Sequence, residues 1–124
     1  MIKGIEHAAI AARDVERLAA FYVQTLGFEI NYRGKSAIFV KAGDGSMIEI
    51  IPAEGEPSEP ALKTPGFRHL ALTVTGFEAE CERLAAAGVS FLEPPLIKGG
   101  NKVVFFRDPE GNILHLLERS EPLP

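Results

Sequence analysis

The chain has 124 residues, 46% of them hydrophobic, and 13 Lys and Arg against 17 Asp and Glu give it a formal net charge of −4. This length and composition predict one globular domain, residues 1–124, with a buried core. The charge balance excludes an electrostatic surface for nucleic acid or anionic membrane, and no apolar run approaches the roughly 20 residues of a membrane span, so we expect a small-molecule partner. A single cysteine, Cys81, excludes an internal disulfide and, without a signal-peptide pattern at the start, predicts a cytoplasmic location.

Module one, residues 1–52, has the pattern of strand, helix and three strands. The stretch "IEHAAIAA" predicts the first strand. Asp14 is suited to cap the helix that follows, and Gly27 to the left-handed position that ends it. The apolar positions of the helix recur at helical spacing: Val15, Leu18, Tyr22 and Leu26. Strands are then predicted over residues 28–33, 36–42 and 46–52.

Module two, residues 67–120, follows a linker that is rich in Pro and Glu, residues 53–66, where regular structure is not expected. "FRHLALTV" predicts its first strand, and Thr75 with Glu78 forms a capping-box pattern before a second helix. Further strands are predicted over residues 89–93, 102–107 and 112–118. The segment 96–102, which contains Gly99 and Gly100, is either a flexible lid or an ordinary hairpin connection.

An internal repeat relates the two modules. His7 and His69 fall at matching places 62 positions apart. "DGSMIEII" (44–51) aligns without a gap to "EGNILHLL" (110–117), which pairs Glu49 with His115 at a separation of 66 positions. The sequence therefore predicts two copies of a βαβββ unit, not a solenoid array.

Four ligand-type residues lie on predicted strands among apolar neighbours of the same face: His7, Glu49, His69 and His115. A lone strand histidine is more often a satisfied core residue, but all three histidines of the chain fall at such positions, and a glutamate is rarely buried unpaired. A two-fold arrangement of the modules would bring the four together, where a divalent transition ion would satisfy them jointly. We therefore predict a metal site. By strand alternation Glu6, Arg68 and Glu118 face away from it, and Glu118 is predicted to be solvent-exposed.

At these residues the sequence resembles the vicinal oxygen chelate superfamily, which includes glyoxalase I (lactoylglutathione lyase), methylmalonyl-CoA epimerase, extradiol dioxygenases and the fosfomycin and bleomycin resistance proteins. The resemblance is carried by "GIEHAAI", "FYVQTLGF", "MIEIIP", "GFRHLAL" and "FFRDPEGNILHLLE". It implies an α+β fold in which paired βαβββ modules form a curved, incompletely closed mixed sheet around a metal ion, with the four residues above at the family's ligand positions. It also implies a homodimer, in which the ligands pair within one chain or between two.

The sequence departs from glyoxalase I at His115, where that enzyme and many relatives carry a glutamate. Glu49 is consequently the only carboxylate in the predicted set and the only candidate base. The leading hypothesis is a metal-dependent lyase or isomerase of the glyoxalase I type, which acts on a small oxygen-chelating carbonyl substrate through a metal-stabilised enolate. Zn, Ni, Co, Fe and Mn all suit the ligand set. Two alternatives stay open: an Fe(II) dioxygenase, and a non-catalytic resistance protein that binds a small molecule or antibiotic.

Overall fold

The computed structural model describes residues 1–57 and 60–124; Ser58 and Glu59, which belong to the predicted linker, lie outside the described residues. The chain divides into two compact units, Met1–Pro57 and Ser58–Pro124. In chain order the elements are β1 (His7–Ala12), α1 (Val15–Gln24), β2 (Glu29–Arg33), β3 (Ile38–Lys41), β4 (Met47–Pro52), β5 (His69–Thr73), α2 (Phe77–Ala86), β6 (Leu96–Lys98), β7 (Asn101–Arg107) and β8 (Ile113–Glu118). The predicted α+β class and repeated βαβββ order are confirmed.

The first unit contains a mixed sheet with the strand order β1-β4-β3-β2, in which β1 runs parallel to β4 and the other pairs are antiparallel. Ile48 and Ile50 of β4 are buried, as are Leu18 and Tyr22 of α1, the helix that packs against this strand. Because side chains alternate across a strand, Glu49 lies on the opposite face.

The start of α1 follows the sequence prediction. Asp14 is the N-cap, and its Oδ1 accepts a hydrogen bond from the Arg17 backbone N–H at 3.0 Å. Gly27 has a φ of +83°, the left-handed conformation expected just beyond the helix. The cap and the glycine thus lie at the two ends of α1.

The second unit repeats the arrangement with the strand order β5-β8-β7-β6. Leu114 and Leu116 of β8 are buried, as are Phe77 and Leu84 of α2, which packs against β8. His115 lies between the two leucines in sequence and therefore on the other face. Among the described residues no helix is long and apolar enough to cross a membrane.

The start of α2 differs from the prediction, because the capping box of Thr75 and Glu78 does not form. Its N-cap is Gly76, which has no side chain to offer. Instead the carboxylate of Glu118 reaches across from β8 and accepts the Gly76 backbone N–H at 2.9 Å, while Glu78 accepts a bond from Lys102 Nζ at 2.6 Å. The predicted solvent exposure of Glu118 is also wrong, since its side chain is only 28% exposed.

The strand predicted over residues 89–93 is also wrong. Phe91 makes only an isolated bridge to Phe106, and the strand of this region is β6, which begins after Pro94 and Pro95. Gly99 and Gly100, both at positive φ, connect β6 to β7 as a two-residue hairpin turn, the conformation that favours glycine at both positions. Of the two readings of segment 96–102, the structure has the hairpin.

Candidate metal-binding site

In the first unit, the strand pairing brings together His7 and Glu49. His7 is the first residue of β1, and Glu49 lies in the middle of β4, the parallel neighbour of β1. The His7 Nε2 and Glu49 Oε1 atoms are 3.7 Å apart, and the two side chains are 34% and 26% exposed. The pair is therefore accessible to a small ion or molecule on the face that α1 does not cover.

In the second unit, the equivalent strands bring together His69 and His115. His69 begins β5 and His115 lies in β8, where its register partner is Ala71. The two imidazole ring centroids are 4.6 Å apart. His115 is buried, and this burial lowers the pKa of its ring, with the nearby His69 and Arg119 lowering it further. Its neutral form, the form that binds metals, is consequently favoured.

Two of the three histidines have Nδ1 engaged in a hydrogen bond. His7 Nδ1 is 2.7 Å from Glu6 Oε1, and His115 Nδ1 is 3.3 Å from the Leu116 backbone oxygen. Metal-binding histidines usually engage their second ring nitrogen with a carboxylate or backbone carbonyl in this way. The prediction that Glu6 faces away is wrong, because Glu6 precedes β1 and its side chain folds back onto the ring.

The first pair fits a first-row transition ion. An ion that bound an imidazole nitrogen and a carboxylate oxygen at ~2.1 Å each would hold the two donors about 3.0–3.4 Å apart. The observed 3.7 Å between His7 Nε2 and Glu49 Oε1 needs only a small side-chain adjustment. Over residues 1–57 and 60–124, however, no three His, Cys, Asp or Glu side chains are grouped to hold a metal ion. Each unit thus presents two of the four predicted ligands.

An aromatic ring accompanies each ligand pair, a feature that the sequence analysis missed. Phe39 of β3 is the register partner of Glu49, and Phe105 of β7 is that of His115. The His7 and Phe39 rings meet edge-on with centroids 5.3 Å apart, and His69 and Phe105 do so at 5.6 Å. The two phenylalanines are 66 positions apart, the spacing of Glu49 and His115, so extending the repeat by one strand would have found them.

A β-bulge places Tyr32 on the same face. The register between β2 and β3 shifts between Ile30 and Tyr32, so that Tyr32 pairs with Phe39. The Tyr32 and Phe39 ring centroids are 6.0 Å apart. Bulges commonly redirect a side chain beside a functional site. Without the extra residue, strand alternation would turn the phenol of Tyr32 towards α1.

The second unit also contains a cavity of about 700 Å³ at the ends of β5 and β8. Its lining includes Thr73, Leu117 and Arg119. Leu117 is on the face of β8 that carries His115, because the two residues are two positions apart in the strand. The lining also contains Lys102, which bonds to Glu78, and the carboxylate of Glu118, so that charges of both signs lie around the cavity.

The profile of the Glyoxalase/Bleomycin resistance protein/Dioxygenase superfamily matches residues 4–116. The chain belongs to this superfamily. An uncharacterised Bacillus subtilis protein, YwkD, is 31% identical over 96% of this chain and 99% of its own length. An ethylmalonyl-CoA/methylmalonyl-CoA epimerase of Cereibacter sphaeroides is 32% identical over 90% of this chain and 93% of its own. The crystal structure of a glyoxalase family protein from Enterococcus faecalis has a TM-score of 0.80 and 32% identity, covering 94% of this chain and 98% of that one.

Proposed function

We propose that this superfamily member is a metal-dependent lyase or isomerase of the glyoxalase I type, in which His7, Glu49, His69 and His115 hold one divalent ion, Zn, Ni, Co, Fe or Mn. The observation that carries the proposal is the pairing of ligand-type residues on equivalent strands of both units, with His7 Nε2 3.7 Å from Glu49 Oε1. The similarity to an epimerase at 32% identity supports proton-transfer chemistry. Each unit is expected to contribute half of the site.

Glu49 is the proposed catalytic base. It is the only carboxylate of the four, and its partly exposed side chain lies between Met47 and Ile51 on its face of β4. A divalent ion bound there would supply Lewis-acid stabilisation for negative charge on a substrate oxygen. Glu49 would take a proton from the carbon next to the carbonyl group of the substrate and return it to the same carbon or to a neighbouring atom. Phe39, opposite Glu49, would keep water from one side of the reacting carbon.

We further propose that the chain works as one functional domain, 1–124, and as a homodimer in the cytoplasm. β1 and β5 are the outer strands of their sheets, and each is preceded by an apolar side chain that is fully exposed, Ile5 at 93% and Phe67 at 102%. Outer strands with apolar neighbours are usually covered by another element or chain. A dimer would cover them while its modules assemble the ligand pairs, within one chain or between two.

The test combines metal analysis with proton exchange. We expect purified wild-type protein, after chelation and reloading, to contain close to one transition ion per chain, and His69→Ala to lose it. The loaded protein should catalyse solvent deuterium exchange into at least one compound of a panel of α-hydroxy ketones, thiohemiacetals and 2-methyl-branched acyl thioesters. Glu49→Gln should lose exchange yet keep its metal.

A charge-matched control is Glu29→Gln, because Glu29 is an exposed carboxylate at the far edge of the same sheet. It should behave like the wild type. No metal uptake with any ion would refute the enzyme proposal and favour the small-molecule binding alternative. Oxygen consumption by the Fe(II)-loaded protein with catechols would favour the dioxygenase.

A further inference from the structure

The carboxylate of Glu6 makes a hydrogen bond to the ring of His7 that the proposed reaction does not use. Glu6 lies immediately before β1, and its Oε1 is 2.7 Å from His7 Nδ1. The side chain is 73% exposed, so that packing does not force the contact. The contact therefore depends on the hydrogen bond itself and not on packing around Glu6.

This bond selects one tautomer of the His7 imidazole. A neutral imidazole carries its proton on one nitrogen only, and an ionised carboxylate only accepts hydrogen bonds. Nδ1 must therefore be the protonated nitrogen when Glu6 is bound to it, which leaves the Nε2 lone pair free. Nε2 is the atom 3.7 Å from Glu49 Oε1, beyond hydrogen-bond distance but suited to a shared ion.

We propose that Glu6 is a positioning residue, which holds His7 in the Nδ1–H tautomer and thereby presents Nε2 as a metal ligand. The inference rests on the proposed function in that it takes His7 as a ligand. A carboxylate behind a ligating imidazole also makes the ring a stronger base towards the ion. Glu6 would thus raise metal affinity without touching the metal.

The second unit provides an internal comparison. Arg68 precedes His69 as Glu6 precedes His7, but its guanidinium binds the backbone oxygens of Gly66 and Ala61. In the described part of the chain no hydrogen bond to the His69 ring is found. His115, by contrast, has the Leu116 carbonyl at its Nδ1. A hydrogen bond between a carboxylate and the ring of a proposed ligand is therefore found in the first unit and not among the described residues of the second.

The direct test is the tautomer of His7 in metal-free protein, measured by two-bond ¹H–¹⁵N correlation at pH 8.5, above the ordinary histidine pKa of about 6.5. We expect the Nδ1–H pattern in the wild type. Glu6→Ala should shift His7 towards the Nε2–H form that a free imidazole favours, while Glu6→Gln, whose amide oxygen can still accept, should retain Nδ1–H. An unchanged His7 tautomer in Glu6→Ala would overturn the proposal.

The second readout is Co(II) affinity from visible absorption. Loss of a residue behind a metal ligand typically costs 10–100-fold in affinity, and the exposure of Glu6 places the expectation for Glu6→Ala near the lower end, about 10-fold. Glu6→Gln should fall between that variant and the wild type, and Glu29→Ala, which removes the same charge from the opposite edge of the sheet, should match the wild type. Equal losses in Glu6→Ala and Glu29→Ala would reduce the effect to net charge and overturn the proposal.

The two readouts separate this inference from the proposed function. If the wild type bound no Co(II), the metal-dependent enzyme would be refuted, and the tautomer would still decide whether Glu6 fixes the ring. If Co(II) bound but no carbonyl compound reacted, both Glu6 measurements would stand unchanged.

Discussion

Glu118→Ala tests whether a glutamate from β8 caps α2 across the unit. In the wild type the Glu118 carboxylate accepts the Gly76 N–H at 2.9 Å, and no side chain at the N-cap position does so. Removing it leaves an N-terminal helix donor without its acceptor and removes a negative charge from the positive end of the helix dipole. Both effects act in the same direction.

The magnitude follows from these contacts. Loss of an N-cap side chain costs about 0.5–2 kcal/mol, and a hydrogen bond to a charged group contributes about 1.5–3 kcal/mol when buried. With Glu118 at 28% exposure we expect the lower part of these ranges, about 1–1.5 kcal/mol. Glu118→Gln, which keeps an oxygen acceptor, should lose about half as much.

Urea unfolding, with the slope m checked for constancy, measures this change, and amide hydrogen exchange localises it. Gly76 should exchange faster in Glu118→Ala, while the first turn of α1 should not change. Asp14→Ala is the matched variant, since it removes a carboxylate cap from the other helix, where the capping side chain belongs to the N-cap residue itself. An unchanged urea midpoint together with an unchanged Gly76 exchange rate in Glu118→Ala would refute the capping role.

Two further perturbations test other parts of the second unit. The pKa of His115 is lowered in the folded metal-free protein, so the unfolded state binds more protons at this residue. The free energy of unfolding should therefore rise with pH up to about 6.5, the ordinary histidine pKa, and fall as the pH drops through the folded pKa. Urea midpoints between pH 5 and 7 should show this rise, and His115→Gln should flatten it; an identical slope in both proteins would contradict it. Gly100→Ala should destabilise the β6–β7 hairpin more than Gly99→Ala. Both glycines have positive φ, so both substitutions strain the backbone, but an added Cβ would meet a neighbour only at Gly100, where it would lie 2.6 Å from Ser120 Oγ. Equal thermal midpoints for the two variants would argue against that close contact.

The repeat made most of the fold predictable. Strand alternation and helical spacing located seven of the eight strands and both helices of the described residues, because those signals depend on local sequence. The missed strand, β6, is three residues long and follows two prolines, so it has no alternating pattern to detect. The capping of α2 was missed for another reason: Glu118 is 42 positions from Gly76, and no local pattern reports a bond at that separation.

For the candidate site, the sequence predicted which residues share a face of a strand. The contacts of Glu6 and Tyr32, in contrast, are visible only in the structure. Glu6 lies just outside β1, where alternation no longer fixes the direction of a side chain. Tyr32 follows a bulge, which changes the parity of every residue after it. Both contacts occur where regular strand geometry ends, and both residues lie beside the same ligand pair.

The two units carry different side chains at equivalent positions of their repeated strands, and this difference bears on where the proposed proton transfer would take place. Glu49 in the first unit corresponds to His115 in the second, and Glu6 corresponds to Arg68. The first pair therefore supplies the only negative charge of the proposed ligand set, with a second carboxylate behind His7. The second pair supplies two imidazoles, and burial lowers the pKa of one of them, His115, which favours its neutral form. A base must accept a proton, whereas a neutral imidazole that binds the ion must keep its lone pair for it. We therefore expect the first unit, through Glu49, to abstract the proton. Substitution of Glu49 should consequently reduce catalysis more than metal content.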